Sequence, residues 1–435
     1  MELMKEILSE ENLRMAIKAV KSNKGAPGID KMTVEKLDEY FKENGREIKL
    51  ALWNKEYKPQ PVKRVYIPKP NGKQRPLGIP TVVDRVTQQA VAQVLTRMYD
   101  PYFSENSYGF RPNRDCHMAV RKVLEYLNEG YEWVIDFDIE KYFDTVNHDK
   151  LISILRERAN DDKTLHFIRA CLKAGVMEEG MVGVTTEGVP QGGPLSPILS
   201  NIYLDKLDKE LEARGLRFVR YADDFDIFVK SEMAAERVMK SVTSWLERKL
   251  FLKVSATKTK VVRPTNSNFL GFTFWKSTKG WLPKPTNDRK AKLRKKVKEV
   301  LLRKKAVAVP LARTFTKLNQ ILRGWINYFR IGSMKGFLKE LGEWLRHKVR
   351  VVIVKQWKKP GTIYNNLAIL NRVQRCGFTD EDLFKCANSR LGIYRKVGMS
   401  GYNYLLSPTI LGKPNKKEGR PGLIDPLRYY LEGLQ

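Results

Sequence analysis

The sequence predicts an α+β core followed by a basic helical region, and three observations predict it. Helix-like and strand-like segments alternate in mixed order to about residue 280, and a Pro-Asn-Gly turn at 70–72 joins two extended segments. From about residue 281 an apolar 3.6-residue period runs through a background of Lys and Arg.

The elements follow in order. Residues from Met1 to about Lys21 fit one amphipathic helix, which breaks at Asn23-Lys24-Gly25-Ala26-Pro27-Gly28. Residues 61–80 read as the two arms of a hairpin, and helices are expected over about 81–98 and 114–129. Strands are expected at Trp133–Asp138, Phe218–Tyr221 and Ile227–Val229, separated by helical stretches near 149–175 and 197–214. Beyond 281, three apolar faces predict a three-helix domain over 287–358: Leu293/Val297/Val300/Leu301, Leu311/Phe315/Leu318/Leu322/Trp325/Phe329 and Phe337/Leu341/Trp344/Leu345. The segment from about 363 to 435 is mixed and contains a Gly/Pro/Lys-rich loop at 411–417.

The chain has 435 residues and is 42% apolar, enough to build cores and to set disorder aside. It carries 80 Lys and Arg against 49 Asp and Glu, a formal charge of +31. Such a surface repels itself unless something anionic is bound, so nucleic acid is the natural partner. The four cysteines form no C-x-x-C pair, which argues against a disulfide framework or zinc ribbon and for a reducing cytoplasm. No apolar run is long enough to span a membrane, and no secretion signal is seen.

The sharpest chemical feature is Tyr221-Ala222-Asp223-Asp224, adjacent acids between two strand-like apolar segments. Side-by-side carboxylates repel, and oxygen ligands of this kind suit Mg²⁺. Upstream, period-2 alternation places Asp136 and Asp138 on one face of a strand. If the strands are neighbours, three carboxylates can converge. Such a cluster can hold two metal ions about 3.5–4 Å apart that serve an attacking hydroxyl and a leaving pyrophosphate.

These motifs resemble those of reverse transcriptases. Tyr221-Ala222-Asp223-Asp224 resembles the YxDD box, and Asp138 to Asp144 resembles the first catalytic motif. The resemblance implies that Asp138, Asp223 and Asp224 are catalytic and bind two Mg²⁺, with Mn²⁺ as a substitute, and that the Ile139 carbonyl is a further metal ligand. It implies that Asp136 and Asp144 are not ligands. Phe143 falls where the family keeps an aromatic gate against a ribose 2′-hydroxyl, its alternative being a core aromatic. Gln191, in Gly188-Val189-Pro190-Gln191-Gly192-Gly193-Pro194-Leu195-Ser196-Pro197, would lie against the incoming dNTP. Lys69 and Arg75, on the hairpin arms, match residues that grip triphosphate. Lys258 matches the lysine proposed to protonate pyrophosphate, with Lys260 close enough to compete for the role. Phe269-Leu270-Gly271-Phe272 resembles the primer grip and is equally consistent with a core β-turn.

Three further motifs, Asn23 to Asp30, Ser107-Tyr108-Gly109-Phe110-Arg111-Pro112, and Arg323-Gly324-Trp325-Ile326-Asn327-Tyr328-Phe329, look like those of group II intron maturases. The resemblance covers about residues 10–360. It implies a right-hand polymerase fold with fingers and an antiparallel palm at 1–280, including a basic N-terminal extension at 1–30. A helical thumb, called domain X, follows at 281–362, and a DNA-binding region at 363–435. Expected partners are group II intron RNA, an RNA template with DNA primer, target DNA and dNTPs. Arg85, Arg111, Arg289, Lys295, Lys296 and Arg323 are the expected nucleic-acid contacts. The histidine and cysteine spacing departs from that of members with an HNH-type endonuclease, so no DNA-cleaving domain is expected, as in short bacterial class C forms. Nothing in the sequence sets an oligomeric state. Alternative readings are a domesticated polymerase in phage defence or DNA repair, and a protein that mainly chaperones RNA splicing.

Overall fold

A computed structural model describes residues 3–68, 72, 74–178, 180–183, 185–416 and 419–434. The chain divides into two compact units, Met1–Leu270 and Gly271–Gln435. The strands, in chain order, are β1 (Val62–Pro68), β2 (Gln74–Ile79), β3 (Trp133–Asp138), β4 (Val176–Glu178), β5 (Met181–Gly183), β6 (Arg217–Tyr221), β7 (Asp224–Val229), β8 (Lys260–Val262), β9 (Phe272–Ser277) and β10 (Gly280–Pro285).

In the first unit β6-β7-β3-β8 form an antiparallel sheet, and β2-β1-β4-β5 form a mixed one in which β1 and β4 run parallel. The register of the first sheet sets the site. Asp138 pairs with Asp224 and Asp136 with Asp226, so four acids project from one face of two central strands. The intervening residues point the other way. Ile135, Phe137, Phe225 and Ile227 are fully buried and join Val242 and Leu246 of the helix Glu232–Lys249 in the main core. Phe137 and Phe225, directly opposed in the ladder, stack at 4.8 Å between centroids, worth about 0.5–1.5 kcal/mol beyond burial alone.

The expected helices form, with local breaks. The first splits into Leu3–Ile7 and Glu10–Ser22, because the Ser9 side chain accepts from the Asn12 amide and starts a new helix there. The 149–175 stretch becomes His148–Arg156 and Asp162–Lys173, the second capped by Asp161. Both arms of the hairpin form as β1 and β2, in register from Lys63↔Ile79 to Pro68↔Gln74. Pro70 and Asn71 of its turn, and Lys69, lie outside the described residues.

The second unit opens on the β9–β10 hairpin, whose Phe272 packs on Phe329 at 4.9 Å and Tyr328 at 5.9 Å. Helices Asn287–Val300, Leu311–Phe329 and Lys335–Trp357 follow, burying Leu293, Val297, Phe315, Leu318, Leu322, Leu341 and Leu345 as the periodicity predicts. The last helix, Pro426–Glu432, folds back on this bundle: Tyr430 Oη donates to the Gly332 carbonyl at 2.9 Å, and Arg346 pairs with Asp425 at 2.8 Å. No helix among the described residues is long and apolar enough to cross a membrane.

Candidate active site

The turn between β6 and β7 carries Asp223, with Asp224 opening β7, and it is strained: Ala222 adopts φ +61°, a region that residues with a Cβ avoid. Across from it, the segment after Leu252 ladders onto the end of β3. The Ser255 amide donates to the Asp138 carbonyl at 2.8 Å, and the Asp138 amide donates to Thr259 Oγ1 at 3.1 Å. That ladder delivers Lys258, whose Nζ donates to both Asp138 carboxylate oxygens. Lys260 instead sits 3.6 Å from Asp136. The structure thus separates the two lysines between which the sequence left the choice open.

The electrostatics of the acids are severe. Carboxylate oxygens of Asp136, Asp224 and Asp226 lie within 4.8 Å of one another. At that separation each ionised pair repels by ~3.5 kcal/mol at an effective dielectric constant of about 20. Burial, followed by the charges of Asp136, Asp223 and Asp138, pushes the Asp224 carboxyl up to about 7. Asp223 is also raised by burial, opposed by Arg75 and Arg220. Asp226 is buried, its Oδ2 has no hydrogen-bond partner, and burial with Asp136 and Asp224 raises it well above the carboxylate range. Among the described residues no ion pair reaches Asp224. A donor set of hard oxygens short of positive charge fits a divalent cation.

The other expected residues fall around this centre unevenly. Ile139 follows Asp138 directly and bridges to Val254. Phe143 is half-buried against Tyr142, and its carbonyl accepts from the Val189 amide at 2.6 Å. Phe143 and Gln191 line one cavity of about 270 Å³ with Arg64, Gly78 and Gly188. The Gln191 carbonyl accepts from the Gly78 amide at 2.7 Å. Gly192, at φ +122°, lies so near β2 that an added Cβ would stand 2.5 Å from the Gly78 carbonyl oxygen. The PQG-like loop is therefore held onto the hairpin sheet by backbone contact that only glycine permits. Arg75 is exposed on β2 and stabilises the Asp223 charge. Lys69 lies outside the described residues.

Two of the expected nucleic-acid contacts are engaged within the chain itself. Arg85 is buried, and its guanidinium donates to the Ala26 carbonyl, fastening the N-terminal loop. Arg111 is buried too. It pairs with Asp100 at 2.8 Å and donates to the Ser104 and Ser107 carbonyls at 2.6 and 3.0 Å, stapling its own loop. Arg289, Lys295, Lys296 and Arg323 are exposed on helices of the second unit.

Sequence reasoning missed Asp226. The signal was the alternation Asp224-Phe225-Asp226, which continues along β7 the face on which Asp224 stands.

A sheet that presents acids from two paired strands and from the tight turn beside them, with a lysine drawn onto one of them, defines a polymerase of the nucleotidyl-transfer class. Residues 67–274 match the family described as reverse transcriptase (RNA-dependent DNA polymerase), and residues 290–368 match the group II intron maturase-specific domain. Protein YkfC of Escherichia coli is 34% identical over 299 residues, covering 60% of this chain and 78% of YkfC. The group II intron-encoded protein LtrA of Lactococcus lactis subsp. cremoris is 38% identical over 219 residues, covering 50% of this chain and 36% of LtrA. The match thus spans about a third of LtrA's length. A chain of a partial Cas6-RT-Cas1--Cas2 complex is 26% identical, with a TM-score of 0.38, covering 57% of this chain and 43% of that one. The chain belongs to the reverse transcriptases of the group II intron type, which carry a maturase-specific domain.

Proposed function

We propose that this protein copies group II intron RNA into DNA from a DNA primer, using dNTPs, and that it also binds the intron RNA to assist splicing and mobility. The convergence of Asp138 and Asp224 in one register pair, with Asp223 on the adjoining turn, carries the reading. Asp138, Asp223, Asp224 and the Ile139 carbonyl would hold two Mg²⁺. When bound, these ions supply activation of the primer 3′-hydroxyl and neutralisation of charge on the leaving pyrophosphate.

The chain's own groups do the rest. Lys258, positioned against Asp138, is placed to give a proton to the leaving pyrophosphate. Arg75, exposed on the hairpin, grips the triphosphate, and the same role is proposed for Lys69. Phe143 excludes the ribose 2′-hydroxyl while Gln191 lies along the bound nucleotide. The exposed cations Arg289, Lys295, Lys296 and Arg323 track phosphates of the RNA and of the template–primer duplex. Residues 281–362 act as the thumb, and 363–435 contact target DNA.

Extension of a DNA primer on an RNA template with dNTPs, and not with rNTPs, tests the reading. Tight RNA binding without extension would favour the splicing role alone.

A further inference from the structure

We infer that Arg220, braced by Asp208 and Asn201, is a positioning residue that holds the Tyr221–Asp224 turn and so sets where the paired carboxylates stand. The inference deepens, and rests on, the polymerase reading of those carboxylates.

Arg220, Asp208 and Asn201 are all 0% exposed. Arg220 Nε donates to Asp208 Oδ1 at 2.7 Å, and its Nη2 donates to Asp208 Oδ2, forming a two-pronged pair between β6 and the helix Ser196–Ala213. The remaining arm points at the turn. Nη1 donates to the Ala222 carbonyl at 2.9 Å and to Asn201 Oδ1 at 3.1 Å. Ala222 is the residue in the left-handed region, immediately before Asp223.

Asn201 closes the other side. Its Nδ2 donates to the Gly109 carbonyl at 2.9 Å. Gly109 approaches the turn so closely that an added Cβ would stand 2.3 Å from the Ala222 nitrogen. The backbone beside it is bonded to β6 on both sides of the same residue: the Tyr108 amide donates to the Arg220 carbonyl, and the Arg220 amide to the Asn106 carbonyl, each at 2.9 Å. The strained turn is therefore gripped at its carbonyl by Arg220 and covered by Gly109, and Asn201 links the two grips.

The chemistry asks for arginine here. A buried ion pair is rarely kept for net stability alone, and a lysine could hold Asp208 but could not reach carboxylate, amide and carbonyl together with a planar fork. A small displacement of groups that must meet reacting atoms costs rate far more than binding.

The test uses the whole chain. Asn201→Ala removes both amide links while leaving the Arg220–Asp208 pair intact, so no buried charge is orphaned. The expected result is a fall in kcat for primer extension on the order of 10²-fold, the cost of about 1 Å of misplacement. KM for dNTP and affinity for template–primer stay close to the parent. Hydrogen exchange at the 221–224 amides speeds up while β3 and the rest of β7 remain protected. Adding Ala222→Gly, which lifts the steric objection to a positive φ, recovers part of the lost kcat. A lower melting temperature with parental kcat and parental exchange at the turn would overturn the inference. If the parent itself extends no primer, the polymerase reading fails, and exchange at the turn still decides whether the grip exists.

Discussion

Lys258 Nζ donates to both carboxylate oxygens of Asp138, at 2.9 and 3.0 Å, while Lys260, two residues on, faces Asp136. The turn at 256–258 presents Lys258 to Asp138 and the start of β8 presents Lys260 to Asp136, so the two lysines are distributed along the row of acids. Lys258→Ala is expected to lower kcat for primer extension by about 10²-fold, the lower range for loss of a proton-transferring group. Lys260→Ala is expected to cost less. Steady-state kinetics of the two variants checks this, and equal losses would contradict it.

The Asp224 carboxyl, pushed up to about 7, ties stability to pH and to metal. Against an unfolded value near 4, the folded chain binds more protons between about pH 4 and 7. In the metal-free protein the contribution of this group is fully present below about pH 4 and lost as pH rises through about 7. A divalent cation replaces the proton. Mg²⁺ should therefore raise the melting temperature more at pH 8 than at pH 6, as thermal denaturation would show. A shift that is larger at pH 6 would count against Asp224 as a ligand.

Asp226 is 1% exposed beside Asp136 and Asp224, and burial together with those two charges pushes its carboxyl well above the ordinary carboxylate value. Asp226→Asn keeps the shape and removes a charge that burial and its neighbours disfavour, so denaturant unfolding should give a stability within about 1 kcal/mol of the parent, the size of one exchanged hydrogen bond. A loss of several kcal/mol would mean that the carboxylate form is the one the fold holds.

Lys295 and Lys296 are exposed on a helix whose apolar face is buried. If each meets one phosphate, replacing both with alanine reduces the slope of log Kobs against log salt by about 1.4 to 1.8, at 0.7 to 0.9 per contact. RNA binding measured across a salt series gives that slope directly. An unchanged slope would remove both residues from the interface.

The legible part of this protein was its local pattern. Adjacent acids between two strand-like runs announced the hairpin, and a two-residue period put Asp136 and Asp138 on one face, as the register now shows. What stayed hidden depends on the path of the backbone in the folded chain. Arg85 and Arg111 look like any surface cation, because the carbonyls that capture them are backbone groups brought near only by folding. Arg220 was equally opaque. Its fork closes on Asp208 and Asn201 from a helix that the sequence shows only as apolar and mixed. The break at Ser9 and the start at Asp161 were readable as caps, but the apolar period running through them masked the signal.

The most direct measurement compares the parent with the Asp223→Ala/Asp224→Ala double variant in extending a DNA primer on an RNA template with dNTPs and Mg²⁺, with RNA affinity measured alongside. Full extension by the parent, none by the variant, and RNA binding unchanged in both is the expected result. Extension by the variant at the parental rate would contradict the assignment of the site.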